Sequence, residues 1–336
     1  MATYQESGVD IAAATRATEL MAAAVRATHG PAVLAGMGAF GGCFDIGPTL
    51  QSYRSPALVA STDGVGTKTL VAAALGRYDT VGQDLVNHCV NDILAQGARP
   101  LFFLDYVAVA RLDPQQVADV VRGVAEACRG VGCALLGGET AEMPGVYHEG
   151  AFDLAGTIVG VVDRERMLPH GVAAGDAILA LPSSGLHTNG FSLARRVLSP
   201  IGYHSRPPEL GGQSIGEALL AVHRPYLREF EALEAAGVPV HGLAHITGGG
   251  LYDNLPRALP AGLGAEIRRG SWEAPPIFEL LVRAGNLEEH EAFHALNMGL
   301  GMLAVIPADA ADTALRALPE ARLVGAVVPE AGVRLV

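Results

Sequence analysis

The chain has 336 residues, half of them hydrophobic and 17% charged, with a formal net charge of −12. That is enough apolar material for two domains with substantial cores, and an acidic chain without a basic stripe argues against a nucleic-acid-binding surface. Four cysteines without a CxxC pair (Cys43, Cys89, Cys128, Cys133) fit reduced thiols in a cytoplasmic protein. They do not make a disulfide framework or a zinc ribbon.

No apolar run reaches the ~18–20 residues of a membrane span, and the first residues show no signal-peptide pattern. From Tyr4 the chain leads into an alanine-rich helical pattern over 11–28. Residues 36–42 (Gly-Met-Gly-Ala-Phe-Gly-Gly) are a glycine-rich stretch that can close over a ligand or simply turn. An apolar strand over 57–61 and a helix over 69–75 flank Asp63-Gly64-Val65-Gly66-Thr67-Lys68. A second helix is expected over 80–96, with Asp84, His88 and Asp92 four apart on one stripe. Residues 101–107 read as a buried strand. Asp113 caps a helix that starts with Pro114 and runs to about 129. A strand over 133–136 leads into a loop over 137–145 that carries Glu139 and Glu142. Another strand covers 152–162.

The domain boundary falls near 168–171, giving domains 1–168 and 169–336. The second begins with a strand over 176–181, a small-residue loop (182–190) and a helix over 191–198. A Gly/Pro-rich loop (200–213) precedes a long helix over 215–236. Residues 240–246 lead into Thr247-Gly248-Gly249-Gly250 and a helix over 251–258. Strands near 263–268, 299–306 and 322–328 alternate with helices near 276–284, 287–295 and 308–317. Both halves are therefore α/β or α+β layers.

Lys68 is the only lysine; every other cation among the 23 Lys+Arg is arginine. An ammonium is a compact point charge where a guanidinium is a broad fork. A strand, two glycines and a helix with that lysine in its first turn suit a polyphosphate. The alternative is an ordinary strand–helix turn. The spacing is not that of a P-loop, and the third glycine of a dinucleotide fingerprint is missing. On this reading Gly64, Gly66, Thr67 and Lys68 hold phosphate. Asp63 and Asp92 are the leading Mg²⁺ ligands, because magnesium prefers carboxylates plus substrate phosphates. Asp84 is a weaker third and His88 a bystander, although the whole stripe also reads as a solvated face. Thr247, Gly248 and Gly249 are a further anion site. His290-Glu291-Ala292-Phe293-His294 matches the zincin pattern HExxH. It is short, lacks a third histidine, and reads more simply as a polar helix face.

Taken in order, Ser7-Gly8-Val9-Asp10-Ile11, Asp63 to Lys68, Val90-Asn91-Asp92, Phe102-Phe103-Leu104-Asp105-Tyr106, Gly137 to Gly145, His187-Thr188-Asn189-Gly190 and Thr247 to Gly250 resemble the phosphoribosylformylglycinamidine cyclo-ligase (aminoimidazole ribonucleotide synthetase) family over nearly the whole chain. One departure is that the first helix carries Arg16 and Arg26 where family members carry lysines. The resemblance implies a fold of α/β (α+β) class. An N-terminal mixed sheet would form a barrel across a homodimer with ATP near its interface, and the C-terminal domain would be an α/β sandwich. It implies ring closure of formylglycinamidine ribonucleotide to 5-aminoimidazole ribonucleotide, with ATP as co-substrate, Mg²⁺, and a monovalent cation as a further candidate. His187 and Asn189 would then sit near the transferred phosphoryl or the substrate, and Glu139 would orient or deprotonate the amidine. Thr247 to Gly250 would bind the ribose phosphate or the nucleotide. A small-molecule kinase of the same superfamily is the alternative enzyme, and a nucleotide-binding regulator the non-enzymatic one.

Overall fold

The structure is a computed structural model that describes residues 8–336. Tyr4 and Ser7 lie outside the described residues. The chain divides into two compact units, one reaching Ile93 and resuming over Arg99–Arg164, the other made of Leu94–Ala98 and Glu165–Val336. Within the second unit the N–H of Leu168 donates to the Gln96 carbonyl at 3.2 Å, which ties the short segment to the longer one.

In the first unit, α1 (Ile11–Arg26) starts where the Asp10 carboxylate accepts the Ala13 N–H, an N-cap that stops the helix from fraying. Strands β1 (Val33–Ala35) and β2 (Cys43–Phe44) pair antiparallel around the glycine-rich stretch and are followed by the short helix α2 (Gly47–Leu50); the sequence reading missed all three. Then come β3 (Pro56–Gly64), α3 (Lys68–Leu75), α4 (Asp79–Leu94), β4 (Arg99–Val109), α5 (Pro114–Gly130), β5 (Ala134–Glu142) and β6 (Phe152–Asp163). The sheet order is β3-β6-β4-β5, antiparallel except for the parallel β4–β5 pair. A Cβ at Gly82 would overlap the Val120 carbonyl, and one at Gly123 the Asp79 carbonyl. These two glycines let α4 and α5 touch backbone to backbone.

Two expectations need correction here. Residues 137–142 are strand, not loop, because β4 offers ladder partners along their whole length: Leu104 opposes Gly137, Asp105 Gly138 and Tyr106 Glu139. Gly138 belongs in that strand because a Cβ there would overlap the Asp105 carboxylate. Nor is β4 uniformly buried. Phe103 and Val107 point into the core, whereas Leu104 is 37% exposed.

In the second unit the order along the chain is β7 (Ala177–Pro182), α6 (Phe191–Leu198), α7 (Ile215–Leu219), α8 (Leu227–Ala235), β8 (Gly242–His245), α9 (Gly250–Asn254), β9 (Gly264–Ile267), α10 (Pro276–Gly285), α11 (Glu289–Ala295), β10 (Leu300–Ile306), α12 (Ala311–Ala317), β11 (Arg322–Val328) and β12 (Gly332–Leu335). Six strands in the order β12-β9-β11-β7-β10-β8 make one sheet, with only β9–β12 parallel. The sequence reading missed β12. All seven residues of β10 are buried, so the sheet is covered on both faces there.

The long helix expected over 215–236 is broken into α7 and α8. Pro225 has no N–H and clashes with a helical residue before it. The piece before it, α7, is opened by a reciprocal Ser214–Glu217 capping box. The helix expected over 251–258 is likewise five residues of α9 and a 3₁₀ turn over Leu255–Ala258, which begins beside Pro256. Among the described residues no helix is long and apolar enough to cross a membrane.

Candidate active site

The acidic stripe of α4 is not a solvated face. It lies against β3 and the start of α3. Lys68 Nζ stands 2.7 Å from Asp84 Oδ2, and both side chains have 0% exposure. Burial pulls the Lys68 ammonium below its ordinary pKa, although Asp84 pulls the other way. The sequence reading placed this lysine at the helix start and was right, since Lys68 opens α3 after Thr67. It expected the ammonium to be presented to phosphate. Instead the charge is spent on Asp84, beneath the Gly64–Thr67 turn. Gly64 itself has no room for a side chain, because a Cβ would sit 2.8 Å from the Leu154 carbonyl.

One helical turn on, His88 stands between two carboxylates. Its Nε2 is 2.8 Å from Asp63 Oδ2 and 3.7 Å from Asp92 Oδ2. Asp63 also accepts the Gly64 N–H at 2.7 Å, and Asp92 accepts the Ser61 hydroxyl at 2.9 Å. Burial pushes the His88 pKa down, but the Asp63 hydrogen bond and the charges of Asp92, Asp63 and Asp84 outweigh it, so the net shift is upward. Burial pushes Asp63 up, yet the hydrogen bond and charge of His88 and the Gly64 N–H hold it below its usual value. His88 is thus the centre of the cluster rather than a bystander. Asp63 and Asp92 remain reachable, with side chains 46% and 28% exposed.

The same unit holds a cavity of about 640 Å³, walled by α1, the Gly36–Gly42 stretch, Leu104, Asp105 and Leu135–Thr140. Phe40 is fully exposed at the outer edge of that stretch. Glu139 lines the cavity as well. The strand registers set Asp63, Gly156, Asp105 and Gly138 in one row across the sheet, with Gly64, Ala155, Tyr106 and Glu139 in the next. Burial pushes the Asp105 carboxyl up to about 7, against a backbone N–H that lowers it. By sequence Asp105 is one residue of the apolar strand over 101–107. The signal was present: one carboxylate inside an apolar run.

In the second unit the loop after β7 turns through His187 at φ 60°, a left-handed value for a non-glycine residue. His187 is 1% exposed and Thr188 7%, so the imidazole braces the loop from inside rather than projecting from it. The Ser184 N–H donates to His187 Nε2 at 3.2 Å. Asn189 is half-buried and stands against the second small-residue loop, where a Cβ on Gly248 would be 3.3 Å from its Oδ1. That loop is clamped by Asn254, whose Nδ2 donates to the carbonyls of Thr247, Gly248 and Gly250 at 3.3, 3.1 and 2.8 Å. Asn254 escaped the sequence reading, since an asparagine a few residues downstream has no distinctive spacing. Asn189 and Thr247–Gly249 are therefore neighbours, as are Asp63, Lys68, Asp84 and Asp92, each group within its own unit.

The HExxH histidines are otherwise engaged. His290 stacks on Tyr252 with centroids 4.7 Å apart, and His294 Nε2 lies 3.3 Å from Asp253 Oδ2.

A mixed four-stranded sheet with an acidic cluster at a glycine turn, followed by a six-stranded α/β unit with two small-residue loops, defines the two-domain architecture of the AIR synthase related proteins. Residues 49–162 match the N-terminal domain of that description and residues 173–336 the C-terminal domain. The chain belongs to the phosphoribosylformylglycinamidine cyclo-ligase family. It is 49% identical over 311 residues to the protein of that name from Desulfitobacterium hafniense, covering 92% of this chain and 91% of the other. With the Sorangium cellulosum protein of the same name the identity is 52% over 320 residues, covering 94% and 91%. Among solved structures, E. coli HypE superposes with a TM-score of 0.68 at 19% identity over 96% of this chain and 92% of that one. That likeness bears on the fold alone.

Two predictions concern the buried charges. Lys68→Met strands Asp84 in the interior and should cost about 3–5 kcal/mol, whereas Lys68→Met with Asp84→Leu should recover most of that loss. Urea unfolding of the single and double variants measures both, and additive losses would contradict the pairing. For His88, a pKa raised above the unfolded value of about 6.5 means the Asp63–His88 contribution is complete below that pH. It is lost as pH rises through the raised value. By NMR the His88 ring should titrate above ~6.5, and in Asp63→Asn it should titrate lower.

Proposed function

We propose that the chain catalyses ATP-dependent closure of formylglycinamidine ribonucleotide to 5-aminoimidazole ribonucleotide, releasing ADP and phosphate, as a step of purine biosynthesis in the cytoplasm. The observation that carries this reading is the chain-long identity to proteins named for that activity. We put the domain division at 168/169, a reading supported by the gap between the matched segments 49–162 and 173–336.

The chemistry is difficult in a defined way. An amide carbonyl is a weak electrophile and hydroxide a poor leaving group. Transfer of the γ-phosphoryl to the formyl oxygen breaks the Pγ–O bond to ADP and forms a C–O–P link. The amidine nitrogen then adds to that carbon, phosphate departs with the C–O electrons, and the nitrogen gives up a proton. Such a sequence depends on alignment and on neutralising charge.

The residues divide these tasks. Asp63 and Asp92 fit Mg²⁺: both are carboxylates, both are reachable, and they converge on one point now taken by the His88 ring. Bound there, the ion would neutralise phosphate oxygens. The turn through Gly64, Gly66 and Thr67 leads into α3, where a phosphate would meet the Gly66 backbone, while the Gly64 N–H is held by Asp63. Lys68 serves from beneath, locking α3 to α4 through Asp84 so that this turn keeps its shape. The cavity walled by Gly36–Gly42 has the size of a small-molecule site, and Glu139 at its edge orients or deprotonates the amidine. In the second unit Asn189 and the Thr247–Gly249 backbone hold the ribose phosphate, with His187 fixing their loop. A monovalent cation near the phosphates would add to the same neutralisation.

The β3 side of the first sheet supports a homodimer. Leu58 is 61% and Leu104 37% exposed, and Ala60 and Thr62 beside them are exposed too. An apolar sheet face of this kind is rarely left in water.

The deciding assay supplies formylglycinamidine ribonucleotide, ATP and Mg²⁺ and scores the aminoimidazole. Equal amounts of ADP, phosphate and aminoimidazole are expected. A stable phosphorylated product would establish the kinase instead, and no ATP consumption would remove the reading. Separately, Leu58→Asp should convert a dimer to monomers by light scattering, and an unchanged mass would place the interface elsewhere.

A further inference from the structure

Three histidines of the second unit meet in its interior. His187 is 1% exposed, His223 0% and His245 6%. They come from separate places: the loop after β7, the segment between α7 and α8, and the last position of β8. The rings of His187 and His223 stack with centroids 3.9 Å apart and planes 16° from parallel. The Nε2 atoms of His223 and His245 are 3.0 Å apart. One ligating nitrogen from each of the three lies within 4.8 Å of the other two. The backbone pays to keep this arrangement, since His187 holds a φ of 60° that strains any residue with a side chain.

An N···N contact of this length needs a lone pair on one of the two nitrogens, so His223 and His245 are not both imidazolium. Neutral imidazole is the form that ligates metal ions. The existing 3.0 Å separation is near the ~3.3 Å edge of a tetrahedron whose Zn–N bonds are about 2.0–2.1 Å. His223 Nδ1 faces Thr188 Oγ1 at 3.5 Å, the kind of outer partner that fixes the tautomer of a ligating histidine.

We propose that His187, His223 and His245 form a buried site for a borderline transition-metal ion of the Zn²⁺ class, with water in the fourth position. Imidazole donors suit Zn²⁺, Ni²⁺ or Cu²⁺ rather than Mg²⁺. The ion enters across the His223–His245 contact, and whichever ring carried the Nε2 proton shifts it to Nδ1. His187 then turns off the face of His223 and exchanges its Ser184 N–H bond for the metal. The site rests on this geometry alone and stands or falls independently of the cyclo-ligase reading.

The test uses metal-stripped full-length protein, titrated with Zn²⁺ by calorimetry and with Co²⁺ by visible absorption. One ion per chain and a tetrahedral Co²⁺ spectrum are expected. His223→Gln should weaken binding by at least ~10-fold, the loss that removal of even an outer partner produces. His290→Ala, which removes the exposed HExxH pair, should leave binding unchanged. Circular dichroism checks folding, and His245→Gln repeats the measurement should His223→Gln not fold. No zinc uptake by the unmutated chain, an octahedral cobalt spectrum, binding indifferent to both glutamine variants, or binding lost with His290→Ala would each overturn the site.

Discussion

The Lys68–Asp84 pair takes two full charges out of water, and the first unit is arranged around keeping them together. Desolvation of isolated ions would cost several kcal/mol each. It is tolerated because Nζ and Oδ2 are 2.7 Å apart. The pair fastens the first residue of α3 to the second turn of α4. That holds the Gly64–Thr67 turn at a set height above the sheet and brings the next turn of α4, with His88, opposite Asp63. A lysine suits this position where an arginine would not, since a guanidinium fork is too broad to face one carboxylate in a filled interior.

His88 extends the same logic toward the surface. Buried charge at Lys68 and Asp84 gives way to a buried imidazole between Asp63 and Asp92, and then to carboxylate oxygens within reach of solvent. The charges of this gradient can exchange partners. A cation arriving at Asp63 and Asp92 competes with the imidazole for the same oxygens, so metal binding and the state of His88 are linked.

The two units solve different problems with similar devices. Each places small residues at the end of a strand, and each supports them from below with a side chain that does not reach the surface: Lys68 in the first, His187 and Asn254 in the second. The exposed groups are backbone N–H donors and a few polar side chains. A site built this way keeps its shape before the ligand arrives, which is where binding and catalysis by positioning gain most.

Much of this was legible in the chain itself. The alanine-rich pattern gave α1, the Asp113 cap with Pro114 gave α5, and apolar runs gave most strands, because these preferences act locally. The solitary lysine and the glycines beside Asp63 marked the right turn, and the ordered motifs identified the family. Other features depend on neighbours distant in sequence. Gly137–Glu142 reads as loop by composition and becomes strand because β4 pairs with it. By spacing alone the Asp84–His88–Asp92 stripe is either a wet face or a site wall, and the fold decides it by burying Asp84 and His88 and leaving Asp92 reachable. His187, His223 and His245 sit in unrelated segments and meet only when β7, β8 and the broken 215–236 helix are packed together. Local conformational preference is written residue by residue, whereas burial, ion pairing and the partners of a charge are properties of the assembled interior.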